Sequence, residues 1–315
     1  MSEHIHDLII VGGGPAGLAA ALYASRSMLD AVTLEREAVG GQMMLTSEVD
    51  NYPGVPHANA FDLVDAMRAQ AEELGARIEM DPVTSIERDG TDGTFRVHAA
   101  TGTRLARAVV AAPGARPRPA GFAGESEFTG RGVSYCATCD GMFYRNKQVF
   151  VVGGGNSAAE EALYLARIAA KVTVVVRKDH LRAQRALVEE LEQNDKVELR
   201  LRTSITSVSG GALLSEMTFR DNATGREYTE TFDGGSRGIF VLVGRMPETE
   251  ALGGLVRLDE AGYVVTDDRM ATETPGLFVA GDARSKPLRQ IVTAAADGAV
   301  AATSAAAYLG LPVEG

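Results

Sequence analysis

The sequence predicts an α/β chain of two Rossmann-like dinucleotide-binding domains, one inserted into the other. Three observations predict it. A strand, a glycine turn and an alanine-rich helix occur twice, 141 residues apart from Gly12 to Gly153. A further apolar strand (276–282) and a long alanine-rich helix (288–309) follow the second copy and read as the completion of the first. The 315 residues suffice for about two domains at roughly 150 residues each.

Residues 7–11 (Asp-Leu-Ile-Ile-Val) are short, apolar and β-branched, the pattern of a buried parallel strand. Gly12-Gly13-Gly14-Pro15-Ala16-Gly17 follows as G-x-G-x-x-G, then an Ala/Leu helix over 18–27. Residues 148–152 (Gln-Val-Phe-Val-Val), Gly153-Gly154-Gly155-Asn156-Ser157-Ala158 and a helix over 159–168 repeat the order. Within the helices, Leu22, Tyr23 and Arg26 match Leu163, Tyr164 and Arg167. In such a unit the first glycine makes the tight turn and the second lets the backbone approach a pyrophosphate. The third small residue lets the helix pack on the strand. The helix N-terminus supplies unpaired N–H groups and partial positive charge. One G-x-G-x-x-G is weak evidence. Two, each between a strand and a helix, point to two dinucleotide sites.

The end of the next strand distinguishes the nucleotides. Residues 31–34 form that strand in the first copy, and Glu35 ends it, 18 residues after Gly17. A carboxylate there accepts hydrogen bonds from a ribose 2′-hydroxyl and repels a 2′-phosphate. The equivalent of Glu35 in the second copy is Val176, followed by Arg177 and Lys178, with Arg182 one turn on. Cations in place of a carboxylate suit the 2′-phosphate of NADP(H), although such a run also suits a solvated surface.

Between and after these units, 61–75 has the pattern of an amphipathic helix, and 94–98 with 104–111 that of a hairpin. Residues 113–119, with three prolines, and 245–247 look like linkers. Residues 197–207, 213–221 and 227–233 look like strands of an inserted sheet, and 238–244 like another strand. The expected domains are therefore 1–117 with 247–315, and 118–246 between them.

Lys plus Arg is 31 and Asp plus Glu 42, a net charge of −11. So acidic a chain disfavours nucleic acid and anionic membranes as partners. No apolar run approaches the roughly 20 residues that span a bilayer. Residues 1–7 lack the pattern of a secretory leader, so the expectation is a cytoplasmic protein.

The chemistry is expected at Cys136-Ala137-Thr138-Cys139-Asp140-Gly141, which holds both cysteines of the chain. C-x-x-C brings two sulfurs within disulfide reach, most easily when the second cysteine opens a helix, and a helix N-terminus favours thiolate. Asp140 opposes a thiolate electrostatically, so its use would be to hand a proton to and from sulfur. Zinc would need about four ligands, and none of His4, His6, His57, His98 or His180 is spaced to join the cysteines. A structural disulfide over so short a loop, or two buried thiols, are the other readings. Nicotinamide gives up two electrons as hydride and a disulfide takes them as thiolates; a flavin makes that conversion. Hence FAD is expected at the first site and NADPH at the second.

These motifs together resemble the low-molecular-weight thioredoxin reductases of bacteria, within the pyridine nucleotide–disulfide oxidoreductase superfamily. Besides the two turns and the cysteine motif, the resemblance rests on Gly40-Gly41-Gln42, Asn51-Tyr52-Pro53-Gly54, Val243-Gly244-Arg245, Gly281-Asp282 and Arg289-Gln290. It covers nearly the whole chain. It implies that Gly41, Gln42, Asn51, Gly281, Asp282, Arg289 and Gln290 line the flavin, and that Glu35 takes the adenosine ribose. It implies that Cys139 faces the flavin, that Cys136 attacks a thioredoxin-like protein, and that the chain is a homodimer. It also implies rotation of the inserted domain about the two linkers. The departure is Val176, where the family usually has His before two Arg; weaker discrimination against NADH is expected. A flavin-dependent dithiol oxidase, or a related NAD(P)H- or ferredoxin-linked disulfide reductase, is the alternative.

Overall fold

The computed structural model describes residues 4–45, 48–49 and 51–311. The chain divides into two compact units: Met1–Arg116 with Met246–Gly315, and Pro117–Arg245. The crossings fall one residue before the expected boundaries, at the short strands Ala115–Pro117 and Arg245–Pro247.

In the first unit, Arg77–Met80, Ala31–Glu35, Ile5–Val11 and Gly102–Ala111 lie side by side in parallel. Leu277–Val279 adds in parallel to the end of Gly102–Ala111. The expected hairpin is present: Phe95–Ala99 pairs antiparallel with the first half of Gly102–Ala111, and Val83–Arg88 pairs with Phe95–Ala99. Val11 is level with Leu34 and Ala111, and Ala111 with Val279. The carboxyl ends of four strands thus form one edge, where open α/β sheets bind ligands. Leu8, Ile9 and Ile10 are fully buried, each contributing about 2–3 kcal/mol of apolar transfer free energy.

The C-terminal helix Ile291–Tyr308 packs on Pro15–Arg26 through alanine and glycine. A Cβ on Gly298 would lie 1.9 Å from the Ala16 carbonyl oxygen, so only glycine permits this approach. By length and composition this helix could cross a membrane. Its buried alanine face and its buried, ion-paired Asp297 make it a core helix of the unit instead.

In the second unit, Val133–Ser134, Arg237–Val241, Gln148–Val152, Lys171–Val175 and Val197–Arg200 form a parallel sheet. Thr203–Gly210, Leu214–Asp221 and Glu227–Thr231 form an antiparallel one. The repeat extends to single atoms. Gly12 N donates to Leu34 O (2.8 Å) as Gly153 N does to Val175 O (3.2 Å). Ala112 N donates to Val11 O (2.7 Å) as Leu242 N does to Val152 O (2.8 Å).

Several elements differ from expectation; the helix expected over 18–27 is Pro15–Arg26 and the strand expected over 238–244 is Arg237–Val241. The single strand expected over 197–207 is two strands in different sheets: Arg202 adopts φ +51° and donates its N–H to Lys178 O, breaking the run. The strand expected over 276–282 is confined to Leu277–Val279, because Gly281 turns at φ +75°. The last helix starts at Ile291, capped by Gln290 and Thr293 in a reciprocal capping box, rather than at 288. The helix expected from 159 starts at Asn156, so the end of the glycine motif is its first turn. The 61–75 expectation corresponds to Ala60–Glu73; the strands Arg77–Met80 and Val83–Arg88 and the helix Arg185–Glu192 had no expected counterpart.

Candidate active site

Cys136 and Cys139 form a disulfide, with Cα atoms 5.3 Å apart. The one-turn helix Ala137–Asp140 carries it, and Cys136, not Cys139, stands at its N-cap. Capping by the first cysteine is the simpler geometry, since Asp140 N donates back to Cys136 O (3.1 Å) and closes the turn around both sulfurs. Ser134 holds the turn together. Its hydroxyl accepts from Cys136 N (3.1 Å) and donates to Asp140 Oδ2 (2.7 Å). Ala137 N donates to Glu161 Oε2 (2.9 Å), anchoring the turn to the helix Asn156–Ala166. Burial raises the Glu161 carboxyl above its ordinary value, against the opposing effects of that hydrogen bond and of Arg245. Tyr144, three residues beyond the motif, is pushed up to about 12 by burial and then by the Asp140 carboxylate. Cys136, Cys139 and Asp140 are all half-exposed. Ser134 and Glu161 were not foreseen; neither belongs to a motif, and only the fold brings them to the sulfurs.

The second glycine turn opens a cavity of about 520 Å³ within the inserted unit. Gly153, Gly155, Asn156, Ser157, Ala158, Arg177, Lys178 and Arg182 all line it. Gly153 is obligatory: it has φ +157°, and a Cβ there would lie 2.4 Å from Leu242 O. Among the described residues nothing lies within 4 Å of a Cβ on Gly155, so that glycine faces open space. No side chain caps the helix it precedes, which leaves the first-turn N–H groups to a ligand. Arg182 N donates to Gly154 O (2.6 Å), which ties the basic loop to the turn. Two basic lining residues were missed. Arg118 lies in the expected linker. His180 lies inside the basic run and holds Asp179 Oδ1 with Nδ1 at 2.7 Å. The signal for His180 was its place between Lys178 and Arg182. The disulfide and Asp140 do not line this cavity.

The first glycine turn is built alike. Gly12 has φ +102°, and a Cβ on it would lie 2.3 Å from Ala112 O. One on Gly17 would lie 1.7 Å from Gly12 O. Gly14 precedes Pro15 at the helix start, again without a side-chain cap, so the Ala16 and Gly17 amides have no side-chain acceptor there. Glu35 is buried beside the turn. It accepts from Gly13 N (2.5 Å), Arg36 N (2.8 Å) and Glu37 N (2.9 Å). A carboxylate has about four lone-pair sites, so three amides leave capacity for a hydroxyl.

Gly41 packs against Gly14, with Gln42 next to it on an exposed turn. Asn51 Nδ2 donates to Gln290 Oε1 (3.0 Å), joining two segments distant in sequence at the start of the last helix. Gly281 N donates to Asp297 Oδ2 (3.1 Å), and Asp282 follows in the same turn. Arg289 donates to the carbonyls of Asp282 (3.4 Å) and Arg284 (3.3 Å) and lies 3.8 Å from the Tyr263 ring centroid. The structure thus brings these residues to the carboxyl edge of the first sheet.

The model of the pyridine nucleotide-disulphide oxidoreductases matches residues 6–298. The chain belongs to that family. Among its relatives, the thioredoxin reductase of Peptoclostridium acidaminophilum is 45% identical over 310 residues, 98% of each chain. That of Listeria monocytogenes is 44% identical over 313 residues, 98% of this chain and 95% of the other. The crystal structure of the Streptococcus pyogenes thioredoxin reductase is 41% identical, with a TM-score of 0.90 over 98% of this chain and 99% of that one. The family implies a flavin and a nicotinamide nucleotide, for which the two turns provide the donors described above.

Proposed function

We propose that the chain is a thioredoxin-disulfide reductase that takes electrons from NADPH through FAD. The observation that carries this reading is the redox disulfide on a unit whose own glycine turn opens a nucleotide-sized, cation-rimmed cavity.

The donor sets fit the two groups. In the inserted unit, 153–158 would hold the NADPH pyrophosphate by backbone N–H groups, and Arg177, Lys178 and Arg182 the 2′-phosphate. In the other unit, Gly12, Gly14, Pro15, Ala16 and Gly17 would cradle the FAD pyrophosphate and Glu35 its ribose. Gly41, Gln42, Asn51, Gly281, Asp282, Arg289 and Gln290 would surround the rest. When bound, the flavin supplies the conversion of hydride into dithiol.

The remaining steps belong to the chain. Two electrons and two protons convert the Cys136–Cys139 bond into two thiols. Asp140, held by Ser134, gives and takes a proton at the Cys139 sulfur. Cys136 as thiolate attacks the partner's disulfide, and Cys139 then attacks the mixed disulfide, releasing reduced thioredoxin and restoring the bond. A dithiol oxidase has no use for the nicotinamide cavity, which favours the reductase. The reading includes a homodimer and a cytoplasmic setting.

The test is anaerobic titration of the flavin-loaded protein with NADPH and then NADH, followed by thioredoxin-dependent reduction of a dye disulfide. Bleaching by NADPH with turnover that needs thioredoxin is expected. A protein that binds no flavin, or turns over without NADPH, refutes it.

A further inference from the structure

A second cluster of ligating side chains lies at the opposite end of the first unit's sheet from its glycine turn. His4 and His6, two residues apart at the head of the strand Ile5–Val11, point to the same side, as strand alternation requires. Asp30 enters the neighbouring strand Ala31–Glu35 beside them. His4 Nε2 lies 2.8 Å and His6 Nδ1 3.2 Å from the same oxygen, Asp30 Oδ2. The three ligand atoms lie within 4.8 Å of one another. The rings meet edge to face, with centroids 4.5 Å apart.

Three features make this more than a surface ion pair. The other carboxylate oxygen, Oδ1, is held by Arg77 Nη2, and Arg77 is fixed in turn by Ala31 O. Asp30 N donates to Asp7 Oδ2 (3.1 Å). The carboxylate is therefore oriented by an outer layer with Oδ2 toward the imidazoles, as ligating groups are. His6 is only 9% exposed, so its ring is held in place beside the carboxylate rather than free at the surface. His4 is exposed, which leaves an entry path and room for water.

We propose that His4, His6 and Asp30 bind a late first-row divalent cation such as Zn(II), completed by water. Two imidazoles and one carboxylate favour such an ion over Mg(II) or Ca(II), which prefer all-oxygen shells. The site would pin the heads of two central strands and act on stability, since the first glycine turn lies past Val11 at the far end. The proposal is independent of the redox reading.

The test is calorimetric titration of the flavin-loaded protein with ZnCl2, the cysteines kept as the disulfide so that they cannot ligate. One saturable site is expected, with a rise in the thermal midpoint that EDTA reverses. His4→Ala, an exposed change that spares the core, and Asp30→Asn should each weaken binding by about tenfold or more. His98→Ala, outside the cluster, should leave it intact. Absence of saturable binding at a molar excess of metal, or equal affinity in wild type and His4→Ala, overturns the proposal. So does a midpoint that shifts with pH in the variants but never responds to metal, for the cluster is then only a hydrogen-bonded pair.

Discussion

Gly155→Ala separates ligand binding from folding. Gly155 has φ −98° and ψ −178°, extended backbone that alanine adopts freely, and nothing among the described residues lies within 4 Å of its Cβ position. The fold should tolerate the methyl. Stability should change by less than about 0.5 kcal/mol, or rise slightly because the unfolded chain loses freedom. The same methyl would occupy the approach to the first-turn N–H groups. Loss of one or two charge-assisted hydrogen bonds to pyrophosphate, about 1.5–3 kcal/mol, corresponds to about a tenfold to 150-fold weaker NADPH complex. The assay pairs thermal unfolding with rapid-mixing measurement of flavin reduction against NADPH concentration. Gly153→Ala is the contrast: its methyl would lie 2.4 Å from Leu242 O and 2.7 Å from the Ala158 methyl, so it should damage folding and binding together. Wild-type affinity for NADPH in Gly155→Ala would refute the cradle. A fall of many degrees in its midpoint would refute the open space inferred around it.

Replacing Arg177 and Lys178 together by Ala should raise the KM for NADPH by about tenfold to hundredfold and leave that for NADH nearly unchanged; equal effects would mean that they do not meet a 2′-phosphate. His180→Ala, an exposed contribution, should raise the NADPH KM by about threefold without moving that for NADH; a larger effect on NADH would put His180 elsewhere on the nucleotide. Asp140→Asn should slow thioredoxin reduction by about a hundredfold while flavin content stays normal; unchanged turnover would remove it from proton transfer. Glu161 gives a pH test. Its carboxyl is raised in the fold, so the folded chain binds that proton more tightly than the unfolded one. Its contribution is therefore full at low pH and is lost as pH rises from the usual carboxylate range through the folded value. Glu161→Gln should gain on wild type in thermal midpoint as the pH is raised above the usual carboxylate range, and a constant difference would refute this.

How far the sequence reaches depends on whether a residue acts through its neighbours in the chain or through the fold. The two glycine turns were legible because each is local: strand, turn and helix are contiguous, and steric exclusion at Gly12 and Gly153 forces the residue type. Glu35 was legible by its spacing from Gly17. The Asn51–Gln290 bond was reachable only through family resemblance, since 239 residues separate its partners. Ser134 and Glu161 carry no signal at all; a serine and a helical glutamate become specific only once a carboxylate and an N–H stand opposite them. Residues 197–207 show the reverse failure. They are β-prone throughout, so composition sees one strand, and the break at Arg202 exists because the chain must leave the parallel sheet where Lys178 O captures its N–H.

The same distinction governs Val176. Read at a fixed offset, it is a lost cation and weaker selection for NADPH. Folded, Val176 is buried, and the loop behind it turns back through the Arg182–Gly154 bond. That turn carries His180 to the cavity wall, with Asp179 orienting its ring. An imidazole thus stands at the cavity wall four residues after Val176, brought there by backbone path rather than by alignment. Selectivity in this loop follows from which side chains reach the cavity, and their order along the chain is only a partial guide to that.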